Sequence, residues 1–325
     1  MMELLWIATG VVSTLIFVGL FWVYRHFEGD GSLREYVSKD EEPEGKYRIL
    51  RKVQTPTQRV ALVEHEDKLL VYSNGYVMFG TTEDEDMYGE AMIHIPVSIA
   101  EKRERVLLIG AGGGITTREV LRYPDVKEIT VIDIDPVMIE FGKTLEPLVK
   151  FNQGSLNHPK VRTVVEDGRD FLERNEEKWD VIILDVPEPT MESLGLNRLY
   201  SWEFYHLLKE RLNPGGVVGI ACSVLSNTPE YYWTIQATLK SAGFSVLPYH
   251  FDVIVEHEED WGYCVAATRP ISPADVNILV PNRYLNRDRL KDMFHIRYGY
   301  WKYWEEDEIQ TDRNRVLAYI QNEDI

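Results

Sequence analysis

The chain has 325 residues, of which 44% are hydrophobic and 27% charged, an ordinary balance for one large or two modest globular domains. A formal net charge of −18 excludes nucleic acid as a partner, because phosphate binding needs a basic face. Two cysteines, Cys222 and Cys264, each inside an apolar run that reads as a buried strand, exclude a disulfide framework and a cysteine zinc site.

Leu4 to Tyr24 is an uncharged apolar run with Trp6, Trp22 and Tyr24 near its ends, long enough to cross the ~30 Å hydrocarbon layer as a helix. Glu3 before it and Arg25-His26 after it argue against a cleaved signal peptide. Residues 1–26 are therefore expected to be a single-pass transmembrane anchor that attaches the chain to the membrane, with Arg25, Arg34 and Lys39 favouring a cytoplasmic catalytic domain. Residues 27–46, polar and glycine-bearing, are expected to be a linker.

Residues 47–87 contain short β-like runs (Arg59–Glu64, Lys68–Tyr72, Tyr76–Phe79) broken by the turn signal Ser73-Asn74-Gly75, which predicts a small N-terminal β-hairpin lobe. Tyr88 to Ala100 reads as a helix opening the main domain, residues 88–325 with a C-terminal extension. There, strand candidates starting at Val106, Ile129, Val161, Val181, Val217, Phe244 and Tyr263 alternate with amphipathic helices, which predicts an α/β fold built on a parallel, Rossmann-like sheet. The last two candidates are too close together for a crossover helix and are expected to form an antiparallel edge hairpin.

Ligands of such sheets bind outside the carboxyl ends of the strands. Gly110-Ala-Gly-Gly-Gly114 ends the first candidate strand and reads as a tight turn entering a helix (Thr116–Arg122). Asp133 ends the second, Glu166-Asp167-Gly168 the third, and Asp185-Val-Pro-Glu188-Pro189 the fourth. Asp135 before Pro136 reads as a helix cap. Acids at three consecutive strand ends beside a glycine turn point to a nucleoside site, with one acid on the ribose hydroxyls.

Gly110-Ala-Gly-Gly-Gly-Ile-Thr-Thr-Arg-Glu-Val-Leu121 resembles the glycine motif of the spermidine synthase (polyamine aminopropyltransferase) family, usually GGGDGGTLREVL. Asp167-Gly168, Trp179 to Asp185, Leu199 to Tyr205, Leu212 to Gly216, Trp261-Gly-Tyr263 and Arg283-Tyr-Leu285 are similar to the blocks that follow it, in order and spacing. The chain thus looks like a membrane-anchored, divergent member of that family, with a class I S-adenosylmethionine-dependent methyltransferase-type sheet. The resemblance implies aminopropyl transfer from decarboxylated S-adenosylmethionine, a co-substrate, to a small-molecule amine, with release of methylthioadenosine and no metal. Carried over by position, Asp133 would hold the ribose hydroxyls and Asp167 the adenine amino group. Gly110, Gly112 and Gly114 would line the thioether and ribose face, with Gly168 beside Asp167. Glu188 would activate the amine, with Asp185 as the other catalytic candidate, and Tyr88 and Glu256 would face the acceptor.

Four positions depart from the family pattern. Gly113 stands where an acid grips the donor's ammonium, and Gly89 where His or Gln is common. Glu188 replaces an aspartate and is one methylene, ~1.5 Å, longer, and Ser73-Asn-Gly-Tyr-Val-Met78 lacks the acid and glutamine of the segment it resembles. The loss of charge at Gly113 keeps two alternatives open: a methyltransferase using intact S-adenosylmethionine, and an inactive membrane-tethered homologue. The aromatic stretch Tyr298 to Trp304 is expected to pack onto the domain or a homodimer partner.

Overall fold

The structure, a computed structural model, describes residues 36–38, 41–254, 259–304 and 308–323. The chain divides into two compact units at Gly80/Thr81. The first is a four-stranded antiparallel sheet, β1 (Tyr47–Gln54), β2 (Arg59–His65), β3 (Lys68–Ser73) and β4 (Tyr76–Gly80), in sequence order. Asn74, at φ 50°, and Gly75, at φ 109°, make the β3–β4 turn that the Ser-Asn-Gly signal predicts. Its small core packs Ala61, Val63 and Tyr72 around Val37, so part of the expected linker is buried in the lobe.

The second unit opens with α1 (Glu83–Ile99), one turn earlier than Tyr88. Glu83, Asp84, Glu85 and Asp86 fill that first turn, where negative charge complements the helix dipole. Strands and helices then alternate: β5 (Arg105–Ile109), α2 (Ile115–Val120), β6 (Glu128–Asp133), α3 (Pro136–Thr144), α4 (Glu146–Phe151) and β7 (Val161–Val165). They continue with α5 (Gly168–Arg174), β8 (Trp179–Leu184), α6 (Trp202–Glu210), β9 (Leu212–Val224), α7 (Pro229–Ser241), β10 (Ser245–Ile254) and β11 (Glu259–Ala267). The tail carries α8 (Arg287–Met293), α9 (Tyr298–Trp301) and α10 (Val316–Glu323).

These strands form one sheet in the order β10-β11-β9-β8-β5-β6-β7, parallel from β7 to β9. The expected edge hairpin β10–β11 is antiparallel, and β11 also pairs antiparallel with β9. Alternate residues feed two cores. Val106 and Leu108 of β5 pack with α1 and Met293, while Leu107 and Ile109 pack with Phe171, Phe204 and Trp233. Interior strands buried on both faces explain the continuous apolar runs. β9 starts five residues before the expected Val217: Leu212 to Gly216 already belong to the strand, with a register shift opposite Trp179/Val181. The aromatic tail packs onto the domain, with Trp301 and Trp304 ring centroids 4.3 and 5.1 Å from that of Trp233.

The membrane expectation is corrected. Among the described residues no helix is long and apolar enough to cross a membrane, and the run Leu4 to Tyr24 lies outside them. The α/β sheet and the N-terminal β lobe stand; a transmembrane helix and a single-pass, membrane localisation are not carried further.

Candidate active site

β5 has β6 on one side and β8 on the other, and chain connections leave this point in opposite directions, opening a crevice at the strands' carboxyl ends. The glycine turn fills its floor. Gly110 has φ 94°, and a Cβ there would lie 2.1 Å from the Asp185 carbonyl oxygen, so only glycine lets the turn pass β8. A Cβ on Gly112 would lie 2.4 Å from Asp133 Oδ2. The turn is tied from behind by Asn152, whose Nδ2 donates to the Gly113 carbonyl (2.9 Å), and by Ser155, whose Oγ donates to that of Gly114 (2.6 Å).

Asp133 ends β6 and is buried. Its Oδ2 accepts the Gly112 N–H (3.0 Å) and its Oδ1 the Asp135 N–H (2.8 Å). Burial pushes its pKa from 3.8 up to about 6, against those two bonds, with Asp135 and Asp185 adding like charge. Asp135 caps α3 through the Val137 N–H (2.9 Å), as its place before Pro136 predicts. Asp167 caps too: Oδ1 accepts the Arg169 and Asp170 N–H groups at 2.9 and 3.0 Å, so Oδ2 lies outside the cap bonds. Gly168 lets α5 approach β5, since a Cβ there would meet Ile109 Cγ2 at 2.4 Å. Ile134 and Val165, both 51% exposed, leave an apolar surface at the ends of β6 and β7 between Asp133 and Asp167.

Asp185 stands across the turn. Tyr88 OH donates to its Oδ1 (2.8 Å) and Thr116 Oγ1 to its Oδ2 (3.0 Å), so α1 and α2 both grip it. It is half-buried, and the burial of its carboxylate raises its pKa despite the two bonds. Tyr88 is walled by Trp261 (5.6 Å between centroids, edge-on) and Tyr263 (5.8 Å). Trp261 Nε1 and Tyr263 OH are buried and have no hydrogen-bond partner among the described residues.

Glu188 sits three residues further along the loop, turned toward Ser223, Tyr200 and Tyr231. Burial raises its pKa, offset in part by its own N–H and by the Ser223 hydroxyl. Tyr231 OH is buried with no hydrogen-bond partner among the described residues. The structure thus brings together Gly110, Gly112, Gly114, Asp133, Tyr88 and Asp185, and places Glu188 on the same loop beside Ser223, Tyr200 and Tyr231. Glu256 lies outside the described residues. Thr116, Asn152 and Ser155 are additions; Thr116 lay inside the glycine motif, but nothing local marks the other two.

A second polar group lies behind α2. Glu90, His94 and Glu119 are buried and bring one ligand atom each within 4.8 Å, a pattern a metal could use. Arg118 (2.7 Å) and Arg122 (3.0 Å) already pair with Glu119, so guanidinium charge fills that role. Burial works to raise the Glu119 pKa, but the His94 hydrogen bond and the two arginines leave it lowered.

Residues 85–275 match the spermine/spermidine synthase domain. The chain belongs to that family. It is 32% identical to a polyamine aminopropyltransferase of Oceanobacillus iheyensis, over 86% of this chain and 52% of the relative. It is 34% identical to polyamine aminopropyltransferase 2 of Ralstonia nicotianae, over 76% of this chain and 48% of the relative. The chain thus spans about half the length of the curated relatives it matches. A crystal structure of a spermidine synthase in complex with the transition state analogue AdoDATO superposes with a TM-score of 0.71 at 22% identity, over 79% of this chain and 88% of that one. The spermidine synthase of Thermotoga maritima superposes at 0.69, 20% identity, over 79% and 87%. Both structures establish the fold.

Proposed function

We propose that this chain is a transferase that moves an aminopropyl group from decarboxylated S-adenosylmethionine to an amine, releasing methylthioadenosine. The observation that carries the reading is the Asp185 carboxylate, held by Tyr88 and Thr116 at the open side of the glycine turn. An amine reaches the site as an ammonium and must lose a proton before it can attack. Asp185 binds that cation and, with its pKa raised by burial, is a better proton acceptor than an exposed aspartate. The freed nitrogen lone pair forms a bond to the propyl carbon attached to the sulfonium sulfur. The C–S bond breaks, its electron pair neutralises the sulfonium, and methylthioadenosine leaves.

The residues fit the donor. Asp133, once ionised, accepts both ribose hydroxyls; the glycines admit the thioether; Asp167 Oδ2 accepts the adenine amino group. Tyr88, Trp261 and Tyr263 make a wall suited to an alkyl ammonium. Glu188 is assigned to the acceptor's far ammonium rather than to proton transfer. It has no cationic neighbour among the ion pairs of the described residues, and a positive charge there removes the cost of burying it.

Gly113 favours a second reading, methyl transfer from intact S-adenosylmethionine, because no acid stands where the donor's ammonium would lie. Calorimetry on the full chain separates the two. Methylthioadenosine and the decarboxylated donor should bind more tightly than the intact one. A tenfold preference for intact S-adenosylmethionine, about 1.4 kcal/mol, would replace aminopropyl by methyl transfer.

A further inference from the structure

α1 carries Tyr88, and the rotation of that helix decides whether the hydroxyl meets Asp185. What fixes the rotation lies on the far side. Glu90 is two residues on, roughly 200° round a helix of 3.6 residues per turn, and is 1% exposed. Its Oε1 accepts the Arg283 N–H (2.8 Å) and its Oε2 the Tyr284 N–H (2.9 Å), so one carboxylate holds two successive backbone amides of the C-terminal segment. Arg122 supplies the counter-charge: its Nη1 lies 3.4 Å from Glu90 Oε1 and donates to the Pro281 carbonyl at 3.0 Å.

The grip continues along that face of α1. Arg283 pairs with Asp86 (3.2 Å), and Tyr284 OH donates to Glu83 (2.9 Å). Residues 83, 86 and 90 share one helical face by their spacing. Between Tyr88 and Glu90, Gly89 faces α2, where a Cβ would stand in ordinary contact with Glu119 Cγ (3.4 Å) and Ile115 Cγ2 (3.5 Å). α2 carries Thr116, the other residue gripping Asp185.

We infer that Glu90 is a positioning residue of the transfer reaction: by clamping residues 283 and 284 onto α1, it sets the rotation that aims Tyr88 at Asp185. The inference rests on the transferase reading above. A buried carboxylate bonded to two backbone amides and a guanidinium has little freedom to move, and the helix transmits that constraint across its own width.

The test is Glu90→Gln in the full chain, with methylthioadenosine binding, kcat and the pH profile of kcat/KM measured together. The amide keeps the size but turns an N–H₂ toward a backbone N–H and removes the charge opposite Arg122. Methylthioadenosine affinity should hold, since none of its proposed contacts changes, while kcat falls roughly 10- to 100-fold, the usual effect of a displacement near 1 Å. The acid limb of the profile should move to higher pH, because Asp185 loses the Tyr88 bond that holds its pKa down. A fall in kcat that only follows the folded fraction, with the limb unmoved, overturns the inference, as does an unchanged kcat. Should Glu90→Gln not melt cooperatively, Glu90→Asp keeps the charge and is expected to show the same upward movement to a smaller degree; an unmoved limb there also overturns it. A wild-type chain with no transfer activity strikes the transferase reading instead.

Discussion

Acidification probes the nucleoside end of the site. Asp133 can accept two ribose hydroxyls only when ionised, and burial has pushed its pKa up to about 6. For a site that binds ligand through the ionised form, affinity falls by a factor of 1 + 10^(pKa − pH), so methylthioadenosine should bind about tenfold more weakly at pH 5 than at pH 7, or about 1.4 kcal/mol. Stability of the unliganded chain responds with the opposite sign. The folded chain holds this proton more tightly than the unfolded chain does, so Asp133's contribution to stability falls as pH rises from about 4 to about 6. Once ionised it costs about 3 kcal/mol, from 1.36 kcal/mol per pH unit between 3.8 and 6. Asp133→Asn removes both slopes and weakens binding at pH 7 by at least about tenfold, because two charge-assisted bonds become neutral ones. Calorimetric titration of methylthioadenosine from pH 5 to 7, with wild type beside Asp133→Asn, measures the difference. A flat wild-type profile, or a slope that survives in Asp133→Asn, would refute the assignment of Asp133 to the ribose.

Three further outcomes follow from the geometry. Asp185→Asn should lower turnover by roughly 10² to 10⁴-fold, the worth of a positioned base, with methylthioadenosine affinity nearly unchanged; single-turnover kinetics with full activity would remove Asp185 from the chemistry. Glu188→Gln removes a carboxylate that burial disfavours and that has no ion-pair partner among the described residues, so it should raise the acceptor KM while leaving or increasing the melting temperature; a fall in kcat at saturating amine would return the role of base to Glu188. Gly110→Ala forces a left-handed φ of 94° on alanine and a Cβ 2.1 Å from a carbonyl oxygen. Denaturant unfolding should show a loss of about 2 kcal/mol or more, and a loss under 0.5 kcal/mol would mean the turn is free to shift.

The parallel part of the sheet was legible because β5, β6 and β8 are buried on both faces and β5 to β8 end in a glycine turn or an acid. Asp135 announced its cap through the proline after it. What stayed hidden depends on residues far apart in the chain. Nothing near Asn152 marks it as the support of the glycine turn, and the partners of Glu90 are the backbone amides of Arg283 and Tyr284, which carry no signal of their own. Asp167 shows the limit of reading an acid from position alone, since the same residue at the same strand end serves a helix cap. The start of β9 at Leu212 was hidden as well, because Pro214 inside it lacks an N–H for regular pairing and the register shifts opposite Trp179/Val181.

The most direct measurement of the central claim is product analysis. The full chain is incubated with decarboxylated S-adenosylmethionine and a panel of diamines and polyamines, and the amines and nucleosides are identified by mass spectrometry. Aminopropyl transfer predicts methylthioadenosine and an acceptor extended by one aminopropyl unit in equal amounts, both lost in Asp185→Asn. A methylated acceptor formed with intact S-adenosylmethionine, or no product from either donor, would contradict it.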